Sequence, residues 1–314
     1  MIRVDAPEVA RRDCYNPRSS RPDFAGLSTF RPGEPPPMTT IEERIIDSRP
    51  HVGLSETVRE LWGFRATILA FTERHVRVKY KQTILGIGWA VIQPLAFVAI
   101  VTFTLGRSAR FASGGVPYAA TALAAMVPWM FVQNAVSLAS TALISDAWLV
   151  RRTYFPREIP VLATVFATGL DLGIGLILFA IIGPIIGARV TVFWLLALPL
   201  SVLLGVLTTA ISLILSALAV PYRDFRIALP VMLQLWLFAS PVAYPLSVVP
   251  HQWRGLYLVM NPAAGLMDAF RRILAEGVAP DAGNLAISVA GTALLSLIGY
   301  VFFKRRERTF AEVI

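Results

Sequence analysis

Six long apolar runs cross this chain, and they restrict it to folds that a lipid bilayer can hold. The runs cover residues 85–105, 118–144, 159–186, 192–220, 228–244 and 285–303. At about 1.5 Å per residue in a helix, most of them reach the ~30 Å thickness of the hydrocarbon layer. The fifth run is shorter than a typical span, and prolines close it. The sequence predicts an all-α integral membrane protein with six transmembrane helices.

The distribution of charge indicates how the chain lies in the membrane. Hydrophobic residues make up 55% of the 314 residues and charged residues 16%, which is too apolar for an ordinary soluble domain. The net charge of +9 comes from basic residues that flank the spans, so it predicts no nucleic-acid partner. With a cytoplasmic N-terminus, the inner segments beyond residue 50 carry fifteen lysines and arginines and the outer segments six. We therefore expect both termini in the cytoplasm.

Asp171 is the only acidic or basic side chain inside the six runs. Exposing it to lipid would cost at least ~2.5–3.5 kcal/mol, so we expect a buried, hydrogen-bonded carboxylate rather than a proton carrier. The sequence contains no G-x-x-x-x-G-K-[ST] phosphate loop, and Cys14 is its only cysteine. The three histidines lack the spacing of metal ligands. The chain is thus predicted to bind no metal and to receive its energy from a partner.

The N-terminal segment, residues 1–50, has the composition of a disordered cytoplasmic tail and lacks the apolar core of a signal peptide. Met38 is followed by a more ordinary N-terminal sequence, so we expect the first 37 residues to be an upstream extension. Residues 51–84 then predict an amphipathic interface helix that lies on the membrane and rests on a cytoplasmic partner. A juxtamembrane helix without a partner is the alternative. The helix residues that matter are Leu61, Phe64, Arg65, Ile68 and Phe71.

Two inner loops are candidates for contact with a partner. The segment 145–157 mixes exposed-type aromatic residues with arginines, as protein interfaces do, although an aromatic belt at the membrane surface would have a similar composition. The second loop, 221–226, contains Arg223 and Asp224, which form either a docking point or a solvated ion pair. In the first loop the predicted contact residues are Trp148, Leu149, Arg151, Arg152, Tyr154 and Phe155.

The segment 245–275 alternates prolines with apolar pieces that are too short to span a bilayer. This pattern predicts re-entrant helices that dip into the outer leaflet under protein cover. We therefore place the transmembrane domain at 85–304 and a cytoplasmic C-terminus at 305–314.

Several motifs resemble one known family of membrane proteins. The segment VKYKQTILGIGWAVIQP at 78–94, YFPR at 154–157, NP at 261–262 and FAEVI at 310–314 closely resemble the membrane subunits of polysaccharide-exporting ABC transporters. The first motif favours the branch that exports O-antigen and teichoic-acid polymers. The resemblance covers about 55–314 and excludes the first 50 residues.

This resemblance implies a homodimer in the bacterial inner membrane, bound to two copies of a separate ABC ATPase that holds ATP and Mg. The cargo would be an undecaprenyl-linked polysaccharide. The resemblance also implies that residues 57–81 form the interface helix, 145–154 the coupling helix and 245–275 the outer re-entrant helices. A path for glycans needs aromatic faces and exchangeable hydrogen bonds. Candidates to line it are Trp129, Gln133, Asn134, Gln234, Trp236, Phe238 and Tyr244.

Two other functions fit parts of the sequence. An ABC exporter subunit for a small lipid or drug would share the coupling elements but would need only a narrow, closed cavity. A membrane-embedded glycosyltransferase or acyltransferase would need a cluster of histidines or carboxylates at the membrane surface. The outer carboxylates Asp268, Glu276 and Asp281 have no histidine near them in the sequence.

Overall fold

The computed structural model describes residues 54–81, 88–109, 116–148, 155–222 and 224–313, and these ranges fold into helices without any strand. The predicted tail 1–50, with Met38, lies outside them. The described α-helices are α1 (Leu54–Gly63), α2 (Arg65–Lys81), α3 (Gly88–Ala109), α4 (Tyr118–Ser145), α5 (Glu158–Ile185), α6 (Ala197–Ala219), α7 (Asp224–Ala239), α8 (His251–Met260), α9 (Pro262–Arg271) and α10 (Ala282–Val313). The all-helical prediction is confirmed for this part of the chain.

Four of the described helical segments are long and apolar enough to cross a membrane. They are Tyr118–Ala139, Glu158–Ile185, Val192–Ala219 and Ala282–Glu307, and the predicted runs 118–144, 159–186, 192–220 and 285–303 fall on them. The third begins with a 3-10 turn, Val192–Leu196, that leads into α6.

The first and fifth predicted spans are not among these four segments. The apolar part of α3 is Val91–Thr104, and it contains Pro94. Helix α7 has only 16 residues, or roughly 24 Å at 1.5 Å per residue. The count of six spans therefore stays a prediction.

Helix α4 is the centre of the helix bundle. It contacts α3, α5, α6 and α9, and most of its length is buried. Small side chains let the helices approach one another closely. A Cβ atom added at Gly175 of α5 would lie 2.7 Å from Cγ1 of Val127 in α4, and one added at Gly299 of α10 would lie 2.6 Å from the carbonyl oxygen of Ala210 in α6. Such close contacts are how helices gain packing energy in lipid.

The segment between α7 and α10 folds into short helices, as its prolines and apolar pieces predict. A 3-10 turn at Leu246–Val248 is followed by α8, α9 and a π-helical turn at Arg272–Glu276. Pro262 opens α9, a position where its missing N–H costs nothing. Gly277 ends the segment with φ +68°, a left-handed conformation that favours glycine.

A buried arginine joins this segment to the end of α7. Arg271 is 3% exposed and donates hydrogen bonds to the carbonyl oxygens of Pro241, at 2.6 Å, and Val242, at 3.0 Å. Asn261 makes a second connection, because its amide donates to the hydroxyl of Ser240 at 2.9 Å. The short helices are therefore fixed to the bundle by polar contacts as well as by packing.

Candidate functional site

The apolar stripe of α1 and α2 packs against the start of α5. The predicted interface residues Leu61, Phe64, Ile68 and Phe71 are all half-buried, and they surround Phe155 and Ile159. Arg65 is exposed and lies over the ring of Trp62, 5.9 Å from its centroid. These apolar contacts are made within the chain itself, so the stripe serves to attach the helix to the bundle.

Phe155 corrects one of the sequence predictions. It was expected on an exposed contact surface, but it is only 5% exposed and meets Phe71 edge to face, with ring centroids 5.5 Å apart. Burying an aromatic ring against α2 is more favourable than leaving it in water, because it removes a large apolar surface from solvent. Phe155 therefore attaches the end of the predicted coupling segment to α2, and its ring is not exposed for contact with a partner.

The other end of that segment is anchored to α2 by an ion pair. Asp146, the residue that ends α4, has a side chain that is 1% exposed. Nη2 of Arg74 lies 2.8 Å from its Oδ1, and Nε2 of His75 lies 3.4 Å from its Oδ2. Burial by itself would raise the pKa of Asp146, but the hydrogen bond from His75 and the charge of Arg74 outweigh burial and lower it. The carboxylate thus stays charged and paired.

The two anchors lie on adjacent positions of one helix. Phe71 and Arg74 are three residues apart, and such residues are neighbours on a helix surface. The Arg74 guanidinium also lies 6.0 Å from the centroid of the Phe71 ring. Asp146 and Phe155, which flank residues 147–154, therefore both contact α2 within about one turn.

A third contact joins the C-terminal end of α2 to the middle of α5. The ammonium of Lys79 and the hydroxyl of Tyr80 both donate to the carboxylate of Asp171, whose side chain is 11% exposed. Burial and the hydrogen bond to Asp171 raise the pKa of Tyr80. The prediction that Asp171 is hydrogen-bonded is confirmed, and its carboxylate is half-buried rather than fully buried.

A buried carboxylate at the start of α5 was missed by the sequence analysis. Glu158 has a side chain that is 3% exposed, and its Oε1 lies 2.6 Å from Nζ of Lys304 in α10. Lys304 also pairs with Glu307 at 3.0 Å. Both partners of the first pair stand at the ends of predicted spans, where opposite charges can meet if the spans are neighbours. The opposite charges at the ends of these two spans were the sequence signal that could have revealed the pair.

The remaining predicted contact residues are distributed as follows. Trp148 is 63% exposed, and Asp224 is exposed at the start of α7. The others, Leu149, Arg151, Arg152, Tyr154 and Arg223, lie outside the described residues.

The predicted channel-lining residues separate into buried and exposed groups. Trp129 is fully buried, so the prediction that it lines a path is wrong for this structure. It packs edge to face against half-buried Trp236 at 5.2 Å, and its indole N–H donates to Gln133 at 3.2 Å. The indole N–H of Trp236 donates to Asn261 at 3.2 Å. The contact between the two rings and their satisfied N–H groups explain this placement.

The other candidates remain accessible. Gln234 and Phe238 are exposed on α7, and Tyr244 is half-buried with its hydroxyl donating to the Phe238 carbonyl oxygen at 3.1 Å. Asn134 is half-buried and lines a cavity between α2, α3, α4 and α5. Within the described ranges, the structure brings no three histidine, cysteine or carboxylate side chains together in a way that could hold a metal ion.

Comparison with known proteins decides the family. The model of the family described as "ABC-2 type transporter" matches residues 66–275, which is two-thirds of the chain. This chain belongs to the ABC-2 type transporter family. The matched region contains α2, both anchors of the coupling segment and the Asp171 cluster. Lys304 lies beyond it.

Relatives of the ABC-2 chain carry informative names. It is 28% identical over 261 residues to the O-antigen export system permease protein RfbA of Myxococcus xanthus, covering 82% of this chain and 98% of the relative. A Klebsiella pneumoniae protein of the same name is 23% identical over 248 residues, covering 79% and 94%. The polysialic acid transport protein KpsM of Escherichia coli is 22% identical over 248 residues, covering 77% and 94%.

Proposed function

We propose that this chain is the membrane subunit of an ABC transporter that exports a lipid-linked, O-antigen-like polysaccharide across the bacterial inner membrane. The single observation that carries the proposal is the similarity to named O-antigen export permeases over most of both chains. The chain has no phosphate-loop motif, so a separate ATPase supplies the energy. The chain itself is a transport subunit and not an enzyme.

The anchored coupling segment supports a route for the energy. The ATPase contacts the predicted coupling segment, in which Trp148 is an exposed aromatic residue of the kind that interfaces use. Because both ends of this segment are fixed to α2, a push on it moves α2 as a rigid body. Lys79 and Tyr80 then transmit that movement to Asp171 in α5. The spans shift and a path opens.

The loosely attached helices support a homodimer. Helix α7 makes few contacts with α4 and α6 and leaves large apolar side chains exposed, among them Val231, Leu235 and Phe238. Helix α3 also exposes Ile100 and Phe103. A second copy that covers parts of α3 and α7 would complete two six-span subunits around a common path. The short helices at 245–275 would then line its outer end as re-entrant elements.

A deletion strain tests the proposal directly. Without the chain, we expect the lipid-linked polymer to accumulate inside the cell and to disappear from the surface, as shown by surface staining and by gel analysis of extracted glycans. Supplying the chain together with its partner ATPase restores export. A hydrolysis-deficient ATPase is the control and leaves the polymer inside. Unchanged surface polymer in the deletion strain would refute the proposal.

A further inference from the structure

The cavity beside Asp171 has the size and lining of a small-molecule site. It encloses about 310 Å³ between α2, α3, α4 and α5, close to the lower limit for ligand pockets of roughly 300 Å³. Its lining includes Trp89 of α3, which is 49% exposed, and Asn134 and Ser137 of α4. Gln93 and the Lys79–Asp171 pair complete the polar part of the lining.

The amides in this cavity have open hydrogen-bonding capacity. Among the described residues, no protein group forms a hydrogen bond with the side chain of Gln93 or with that of Asn134. Gln93 is exposed and Asn134 is half-buried, so both side chains are accessible. Asn134 and Ser137 are three residues apart on α4, so they face the same side of that helix. These groups are therefore free to form hydrogen bonds with water or with a polar ligand.

The charges of the cavity indicate what kind of ligand fits. Lys79 and Asp171 neutralise each other, and the other polar groups that line the cavity are uncharged amides and hydroxyls. A tightly bound ion would need a net countercharge, which this lining does not offer. A neutral ligand with many hydroxyl groups fits better, because amides donate and accept hydrogen bonds and an exposed indole offers a flat apolar face.

A second cavity of the same chain makes the contrast clear. It encloses about 570 Å³ and is lined almost entirely by apolar side chains such as Leu162, Val165 and Val202. Hydroxyl groups would find few partners there. Of these two cavities, only the one beside Asp171 offers several polar side chains to a ligand.

We propose that the cavity beside Asp171 binds one sugar unit of the polysaccharide during its export. Trp89 supplies the stacking face, while Gln93, Asn134 and Ser137 exchange hydrogen bonds with hydroxyl groups of the sugar. This proposal rests on the proposed function, because it assumes that the cargo is a glycan. It adds a binding site that grips each unit briefly, next to the contact through which α2 moves α5.

Cysteine protection tests this site in cells. Cys14 is first replaced by serine, which leaves no other cysteine, and Ser137→Cys then places a thiol in the cavity. The probe is a small, water-soluble methanethiosulfonate reagent. Labelling is compared between cells that lack polymer synthesis and cells in which a hydrolysis-deficient ATPase stalls the polymer. Glu73→Cys on the exposed face of α2 is the control, because it is accessible and does not line the cavity.

The expected result is selective protection. Labelling of Ser137→Cys should slow roughly tenfold with stalled polymer if the site is about nine-tenths occupied, since only the empty fraction reacts. Glu73→Cys should react equally in both strains. If Ser137→Cys does not restore export in the deletion strain, Leu138→Cys, which also lines the cavity, takes its place.

Two results would refute the proposal that the cavity binds a sugar unit. One is an unreactive thiol in cells without polymer, because the cavity would then not be open to water. The other is equal labelling with and without stalled polymer while export with the active ATPase is normal. In both cases the proposed export function survives. Loss of that function is recognised separately, by unchanged surface polymer in the deletion strain.

Discussion

The rings of Phe71 and Phe155 meet edge to face at 5.5 Å, and this contact joins the interface helix α2 to the chain just before the α5 span. Together with the Arg74–Asp146 ion pair, it holds both ends of residues 147–154 on one turn of α2. Asp146 and Phe155, which flank the predicted coupling segment, are thus attached to the same helix.

Replacing Phe155 by alanine should loosen α2 from the bundle. The variant loses a buried aromatic ring, which typically costs about 3–5 kcal/mol, and part of that loss falls on the contact with α2. We expect a lower free energy of unfolding in mixed micelles and faster proteolysis within residues 54–81. Phe166→Ala is the matched control, because Phe166 is 56% exposed on α5, lies outside the proposed dimer contact and should leave both measurements unchanged. Equal proteolysis of Phe155→Ala and the parent protein would contradict the anchor.

Replacing Trp148 by alanine should weaken the binding of the ATPase without unfolding the chain. Trp148 is 63% exposed, and aromatic contacts at an interface often contribute about 2 kcal/mol or more. Co-purification with the ATPase should fall, and the double variant with Tyr154→Ala should lose the ATPase completely. Trp253→Ala is the control, because Trp253 is 57% exposed on α8 and belongs to the predicted outer face. Undiminished co-purification of the double variant would remove these residues from the coupling site.

Removing Lys304 should destabilise the chain more than removing the whole ion pair. Lys304→Met leaves the buried Glu158 carboxylate without a cationic partner, a change that typically costs about 3–5 kcal/mol. Adding Glu158→Gln to Lys304→Met should recover most of this loss, because the remaining groups are then neutral. Denaturant titration in mixed micelles measures both variants. Lys304→Arg preserves the charge and is the control. Additive losses in the double variant would show that the pair does not couple α5 to α10.

Replacing Asp171 by asparagine should release the C-terminal turn of α2. The variant loses the charge that holds Lys79 and Tyr80, while the shape of the side chain is retained. We expect amide exchange at residues 76–81 to become roughly tenfold faster, which corresponds to about 1.4 kcal/mol. Asp224→Asn, at the exposed start of α7, should show no such change. Unaltered exchange in Asp171→Asn would mean that α2 is held by its other two contacts alone.

The sequence predicts the elements of this protein better than their contacts. Apolar runs identify the long helices, since length and hydrophobicity are local properties, and the prolines at 245–275 mark the breaks between short helices. The lone acid at 171 is correctly expected to be hydrogen-bonded, because exposing an unpartnered carboxylate to lipid is costly. Its partners could not be named, since Lys79 and Tyr80 lie about ninety residues away and many lysines were available.

The aromatic predictions show the complementary limit. In the sequence alone, Trp129 and Phe155 cannot be distinguished from aromatic residues of a contact surface. Composition does not reveal which side of a helix faces a neighbouring helix. The structure buries both, one against Trp236 and the other against Phe71. Only the three-dimensional arrangement of α2, α4 and α7 decides between a contact surface and a core.

The attachment of both Asp146 and Phe155 to α2 has a consequence for the exchange of sequence segments between related transporters. A coupling segment that is transferred by itself would bring neither the arginine that pairs with its first residue nor the ring that holds its last. Recombination at the boundaries of the segment should therefore give subunits in which the segment lacks its contacts with α2. For a subunit to accept a different ATPase, two separate stretches of sequence, residues 54–81 and residues 146–159, must therefore be exchanged together.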